Sequence, residues 1–129
     1  MIVTLYPSTF QRKFLLAVEN SRCPIPIRKT TMKFYLCKYI PPRPDFLATM
    51  TTDEKTWMGQ HGTYLDRLLG EGKIVAHGPV MDPAGGYGVS LYQIEDDENI
   101  EALTSLDPIV QNGAGHYEHY PMLHIKHRG

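Results

Sequence analysis

One stretch limits the folds open to this chain: Thr52 to Gly72, TDEKTWMGQHGTYLDRLLGEG. Its large apolar residues are Trp57, Met58, Tyr64, Leu65, Leu68 and Leu69, spaced in steps of three, four and seven. That spacing draws one stripe along an α-helix, so the helix must lay one face on an apolar surface. His61 falls on the stripe, four residues after Trp57 and three before Tyr64. Thr51 or Thr52 is placed to cap the N-terminus through its hydroxyl. Asp53 and Glu54 then sit at the positive end of the helix dipole. Gly70 and Gly72 mark the stop. Gly59 and Gly62 flank His61 inside the helix, where glycine costs about 1 kcal/mol against alanine. Their presence implies either a close backbone approach or room for a ligand. From periodicity alone, His61 reads as a core histidine with one hydrogen bond or as a functional imidazole.

The chain on either side of this helix reads as strands and turns. Lys33 to Ile40, KFYLCKYI, is an aromatic and β-branched run that ends at Pro41-Pro42. Phe34 and Leu36 point to one face, and Tyr35, Cys37 and Tyr39 to the other. Pro41 to Met50 is expected to be a loop. Lys73 to Val80 forms a second strand stopped by Gly78-Pro79. Asp82 to Gly86 is a turn, and Tyr87 to Ile94 returns antiparallel as the third strand. Glu95 to Leu106 is expected as a shorter helix with an acidic first turn and Ile100, Leu103 and Leu106 on its stripe. Gly115 to Ile125 is the last strand.

The order β-α-β-β-α-β is the ferredoxin-like split βαβ arrangement of the α+β class. It places two helices on one face of a four-stranded antiparallel sheet. The first strand is apolar on both sides, so the uncovered sheet face calls for a second copy of the chain.

Composition narrows the function. At 129 residues the chain suits a single domain, and 42% hydrophobic with 21% charged residues is ordinary for a globular protein. No apolar run approaches the roughly 20 residues of a membrane span. The formal net charge of −1 gives no electrostatic case for nucleic acid. Charge is uneven, however. Residues 1–31 carry Arg12, Lys13, Arg22, Arg28 and Lys29 against Glu19 alone. This segment reads as an N-terminal extension, either disordered or upstream of a natural start at Met32. An organelle-targeting peptide and a structural arm are the alternatives. Residues 32–129 then form the domain. Cys23 and Cys37 make no C-x-x-C pair, which suits a reducing compartment, the cytoplasm.

Asp107 is the second polar residue on an apolar stripe, four residues after Leu103. A buried carboxylate needs a partner. Asp107 also reads as the cap of a short turn from Pro108 to Asn112, with proline at the first position. Both helices lie on one sheet face, so His61 and Asp107 can converge, and a carboxylate that fixes a histidine tautomer makes a general base. Tyr64, one turn on, is placed either to orient a substrate hydroxyl or simply as core. His77 precedes Gly78 and Pro79 in a strand, and these three read as a pocket rim. His116 and His119 stand three apart on a strand and face opposite sides, so no metal is expected. Gly85, Gly86 and Gly88 lack the strand–glycine–helix order of a phosphate loop. No cofactor is expected.

The runs H-G-T-Y-L at 61–65, G-K-I-V-A-H-G-P-V at 72–80, D-P-A-G-G at 82–86 and D-P at 107–108 resemble the YCII-related family. The resemblance covers about Met32 to Ile125. It implies a ferredoxin-like α+β fold, dimerisation as an α+β barrel, and a His–Asp pair, here His61 and Asp107, as the site. It further implies a small-molecule ligand, and elimination or isomerisation of a cyclic or aromatic compound, without a cofactor. The chain departs from the family at Trp57, where an arginine is frequent, and at His77. A non-catalytic small-molecule-binding dimer is the other function class.

Overall fold

The computed structural model describes residues 31–129, and the reading of residues 1–30 as an extension lies outside them. Thr31, read with that extension, is tied to the domain: its hydroxyl donates to Asp96 Oδ2 at 2.7 Å and its carbonyl accepts from Asp96 N. The elements in order are β1 (Met32–Ile40), α1 (Phe46–Thr49), α2 (Thr52–Gly70), β2 (Ile74–Val80), β3 (Tyr87–Glu95), α3 (Ile100–Ser105), α4 (Pro108–Gln111) and β4 (His116–Met122). The strands make one antiparallel sheet in the order β2-β3-β1-β4. Both edge strands carry a proline, Pro79 in β2 and Pro121 in β4, positions where a missing N–H costs the ladder least.

Alternation along the strands decides which face is covered. Cys37 and Tyr39 of β1, and Ser90, Tyr92 and Ile94 of β3, are buried, with Ile74 of β2 beside them. Tyr64, Leu65 and Leu68 of α2 and Ile100 of α3 close over this face as one core. A second core joins Tyr39, Phe46 of α1, Ile109 of α4 and Ala114, with Trp57 and Met58 packed against it. Phe34, Leu36, Val89, Leu91 and Met122 point the other way and are half-buried. Leu36 stands between Leu91 and Tyr120 in the ladder, so the face that no described helix covers is apolar across three strands.

Several boundaries differ from expectation for clear reasons. The second helix starts at Ile100, not Glu95. Glu95 extends β3 against Met32, and Asn99 caps α3 by accepting from Ala102 N. The acidic Asp96, Asp97 and Glu98 therefore form a turn, where Glu98 bonds back to Glu95 N and pairs with Lys73. α3 ends at Ser105, so Leu106 lies off the expected stripe and is 54% exposed. Leu69 also leaves its stripe, at 41% exposed, while its neighbour Leu68 stays in the core. The Pro41–Met50 segment contains the short helix α1, and β4 stops at Met122 rather than Ile125. The described residues hold four helices instead of two. None is long and apolar enough to cross a membrane.

Candidate functional site

α2 owes its direction to its first turn. Thr51 Oγ1 accepts from Glu54 N, and Glu54 reaches back to Thr51 N, a reciprocal capping box. The Glu54 carboxylate also takes a two-pronged bond from Arg43. That pairing holds its carboxyl far below the usual range, at about 2. The helix is thus fastened to the segment that carries α1. Along its buried side lie His61, Tyr64, Leu65 and Leu68.

His61 Nδ1 is 2.6 Å from Asp107 Oδ2. The pair is buried, His61 at 9% exposure and Asp107 at 0%. Asp107 arrives there through its own backbone. A residue before proline avoids the helical region, and Asp107 has ψ 125°. It caps α4 by accepting from Ile109 N at 3.1 Å through Oδ1. So both sequence readings of this residue hold together: one oxygen caps, the other meets the histidine. Oδ2 accepts a further bond from the Tyr117 hydroxyl at 2.7 Å. A carboxylate met by donors on every side is acceptor only, which places the His61 proton on Nδ1 and leaves Nε2 as the ring's second site.

Aromatic rings enclose the pair. Tyr39 lies 5.2 Å from the His61 ring, and Tyr117 lies 5.8 Å from Tyr39. Burial first, and then the Asp107 charge, push the pKa of both phenols well above the ordinary tyrosine value, so both remain hydroxyl donors. The Tyr39 hydroxyl donates to Ala114 O. The next residue, Gly115, has φ +121° and passes so close that an added Cβ would lie 2.6 Å from the Tyr39 ring. Only glycine fits there without moving either strand.

His61 opens onto a cavity of about 700 Å³, a size typical of small-molecule sites. Tyr39, Tyr117 and Ser90 line it with His61, and Phe46, Leu47 and Met58 form apolar wall. His77, Gly78 and Pro79 line it as well, together with the turn around Asp82 to Gly88. Asp107 does not line it; the carboxylate stands behind the imidazole. Tyr64 does not line it either. Its hydroxyl donates to Leu103 O at 2.6 Å and its ring belongs to the core. Gly62 borders the cavity with nothing within 4 Å of a would-be Cβ, so of the two sequence explanations for that glycine the structure favours room over close approach. Gly59 is exposed and equally unobstructed, and no physical account of it emerges.

The other histidines are dispersed. His77 Nε2 meets Asp66 Oδ1 at 2.9 Å, and His119 Nε2 meets Thr104 Oγ1 at 2.8 Å. His116 and His124 are exposed. Among the described residues no group of three or more His, Cys, Asp or Glu could hold a metal ion. Two site residues escape sequence reasoning, Tyr39 and Tyr117. Alternation assigns Tyr39 to the face of Cys37, but only the β1–β4 register, Tyr39 opposite Tyr117, brings the two rings together beside Asp107.

A four-stranded antiparallel α+β domain whose cavity ends on a buried His–Asp pair is the class that fold and geometry define. A family model, the YCII-related domain, matches residues 32–126, and the chain belongs to that family. No curated protein and no solved structure matches the chain significantly.

Proposed function

We propose that the protein is a small-molecule enzyme in which the His61–Asp107 dyad acts as acid and base. The reaction class is elimination or isomerisation of a cyclic or aromatic compound. One observation carries the reading: the 2.6 Å contact between His61 Nδ1 and Asp107 Oδ2, with His61 itself lining a cavity. The fixed tautomer leaves Nε2 to take a proton from carbon or oxygen, and the carboxylate stabilises the imidazolium that results. His77, Gly78 and Pro79 would then contact the substrate. We further read the fold as ferredoxin-like, with the cytoplasm as its compartment given the sparse cysteines. The second copy would pack on the sheet face that carries Phe34, Leu36 and Leu91, and sedimentation at micromolar concentration should then give about twice the chain mass.

The test is solvent exchange. Mixtures of cyclic and aromatic metabolites incubated in D2O should gain deuterium at a carbon, read by mass spectrometry, with the wild-type chain. His61→Asn should keep the fold and lose this by 10²–10⁴-fold, the usual contribution of such a group. Exchange that persists in the variant would remove the dyad from the chemistry. A wild-type chain that binds small molecules without exchange or turnover would favour a binding module, a reading supported by the largely apolar wall.

A further inference from the structure

The cavity carries a second imidazole whose placement the dyad does not use. His77 sits on β2, opposite Ser90 on β3, and Pro79 two residues on is opposite Gly88. Gly88 in turn is opposite Tyr39 on β1, the ring beside His61. His77 is therefore displaced from Tyr39 by two strand spacings across the sheet and two residues along it, roughly 12 Å between backbones. Asp66, one turn and a half beyond His61 on α2, holds His77 Nε2 at 2.9 Å. Each imidazole thus has one nitrogen engaged by a carboxylate and one left for another partner. Both imidazoles line the same cavity, whose wall also includes Tyr39, Phe46 and Met58.

Charge on the wall is one-sided. Asp45 and Asp82 line the cavity, and among the described residues no lysine or arginine does. Trp57, at a position where the resembled family often has arginine, supplies no cation and packs, partly buried, against the cluster of Tyr39, Phe46, Ile109 and Ala114. An anion entering this cavity would lose its hydration with no lysine or arginine of the described residues to offset the cost.

We propose that the cavity takes an uncharged, ring-sized compound with polar groups at opposite ends, one bonded to His61 and the other to His77. This inference rests on the ligand-binding part of the proposed function and not on catalysis. The two polar ends follow from the two imidazoles that line one cavity, and the ring from the apolar wall of Phe46, Leu47 and Met58. Neutrality follows from the absence of lysine and arginine on that wall among the described residues. His77 is then a specificity residue: it rewards a hydroxyl or carbonyl at the far end and leaves a one-ended compound untouched.

The experiment is calorimetric titration of the full chain with three probes of one shape. These are 4-methylphenol, with one polar end; 4-(hydroxymethyl)phenol, with two; and 4-hydroxybenzoate, whose far end is anionic. The two neutral probes should bind, and 4-hydroxybenzoate should bind at least tenfold more weakly than 4-(hydroxymethyl)phenol. His77→Ala should weaken 4-(hydroxymethyl)phenol about tenfold, because its second hydroxyl is then buried without a partner. The same change should leave 4-methylphenol within twofold. His77→Gln, which keeps a hydrogen-bonding side chain on the strand, should recover part of the loss and serves if the alanine variant does not fold. Tighter binding of the anion, equal weakening of both neutral probes, or no binding of any probe would overturn the proposal. Failure of the deuterium exchange with this binding pattern intact would remove catalysis and leave the ligand class standing.

Discussion

Tyr117 donates its hydroxyl to the same Asp107 oxygen that faces His61. The carboxylate is therefore shared by three elements, α2 through His61, α4 through Ile109 N and β4 through Tyr117. It pins the helical layer to an edge strand, and it does so at the floor of the cavity.

Removing that hydroxyl should loosen the pin without emptying the site. Tyr117→Phe keeps the ring against Tyr39 and deletes one bond to a charged acceptor, worth about 1.5–3 kcal/mol. The expected result is a denaturant midpoint lowered by a corresponding amount with an unchanged slope. An unaltered midpoint would show that Tyr117 contributes through its ring alone.

Asp107→Asn tests the tautomer. The amide presents a donor where Oδ2 accepted, so it conflicts with both the Tyr117 hydroxyl and the His61 Nδ1–H. The imidazole should respond by moving its proton to Nε2, which is visible in the ring ¹⁵N shifts. Activity should fall with it, since the cavity-facing nitrogen would no longer accept a proton. Stability should drop by about 3 kcal/mol, as expected when a buried polar network loses a matched partner. A ring that keeps Nδ1–H in this variant would mean that Asp107 does not set the tautomer.

The Arg43–Glu54 pair contributes to the acid limb of stability. Its carboxyl titrates at about 2 in the folded chain against an ordinary 4.5. A carboxyl held low stabilises the fold fully above its unfolded value, and the contribution fades as pH falls through the folded value. Glu54→Gln should therefore melt below the wild type at neutral pH, and the gap should close between about pH 4.5 and 2. A gap that stays constant through that window would assign the effect to the capping box, not to charge. Arg43 also lies 5.1 Å from the Phe46 ring, so Arg43→Ala should disturb the α1 wall of the cavity as well.

Much of this was legible in the residues because the signals were local. The α2 stripe, its Thr51 cap and the inward His61 follow from a 3.6-residue period and one capping box. The inward Asp107 was legible for a partly mistaken reason. Spacing from Leu103 puts it on the stripe of the second helix, whereas α3 stops at Ser105 and Asp107 turns inward as the cap of α4. The acidic run Asp96 to Glu98 misled because charge near a helix start is only a preference. Here Asn99 held the cap and Lys73 claimed Glu98. Tyr39 and Tyr117 were out of reach because strand register is a long-range property. Nothing in either sequence neighbourhood says that the two rings meet.

Two glycines should respond in opposite directions. Gly115 holds φ +121°, and a Cβ there would lie 2.5 Å from Ile40 O and 2.6 Å from the Tyr39 ring. Both obstacles are rigid: one is backbone in the central strand β1, the other a buried ring beside His61. Gly115→Ala therefore adds backbone strain of order 1–3 kcal/mol to a steric clash, and the melting temperature should fall sharply. The displaced Tyr39 ring should also perturb the His61 side-chain resonances. Gly59 lies in the exposed interior of α2 with nothing within 4 Å of a would-be Cβ. Gly59→Ala should raise stability by up to about 1 kcal/mol through helix propensity alone. It should leave the His61 resonances where they are, because the added methyl points to solvent. Paired melts and histidine NMR spectra of the two variants give the answer. If Gly59→Ala destabilised the chain, the exposed side of α2 would have to be covered in solution. If Gly115→Ala were tolerated, the close approach of β4 to Tyr39 would not hold the cavity floor.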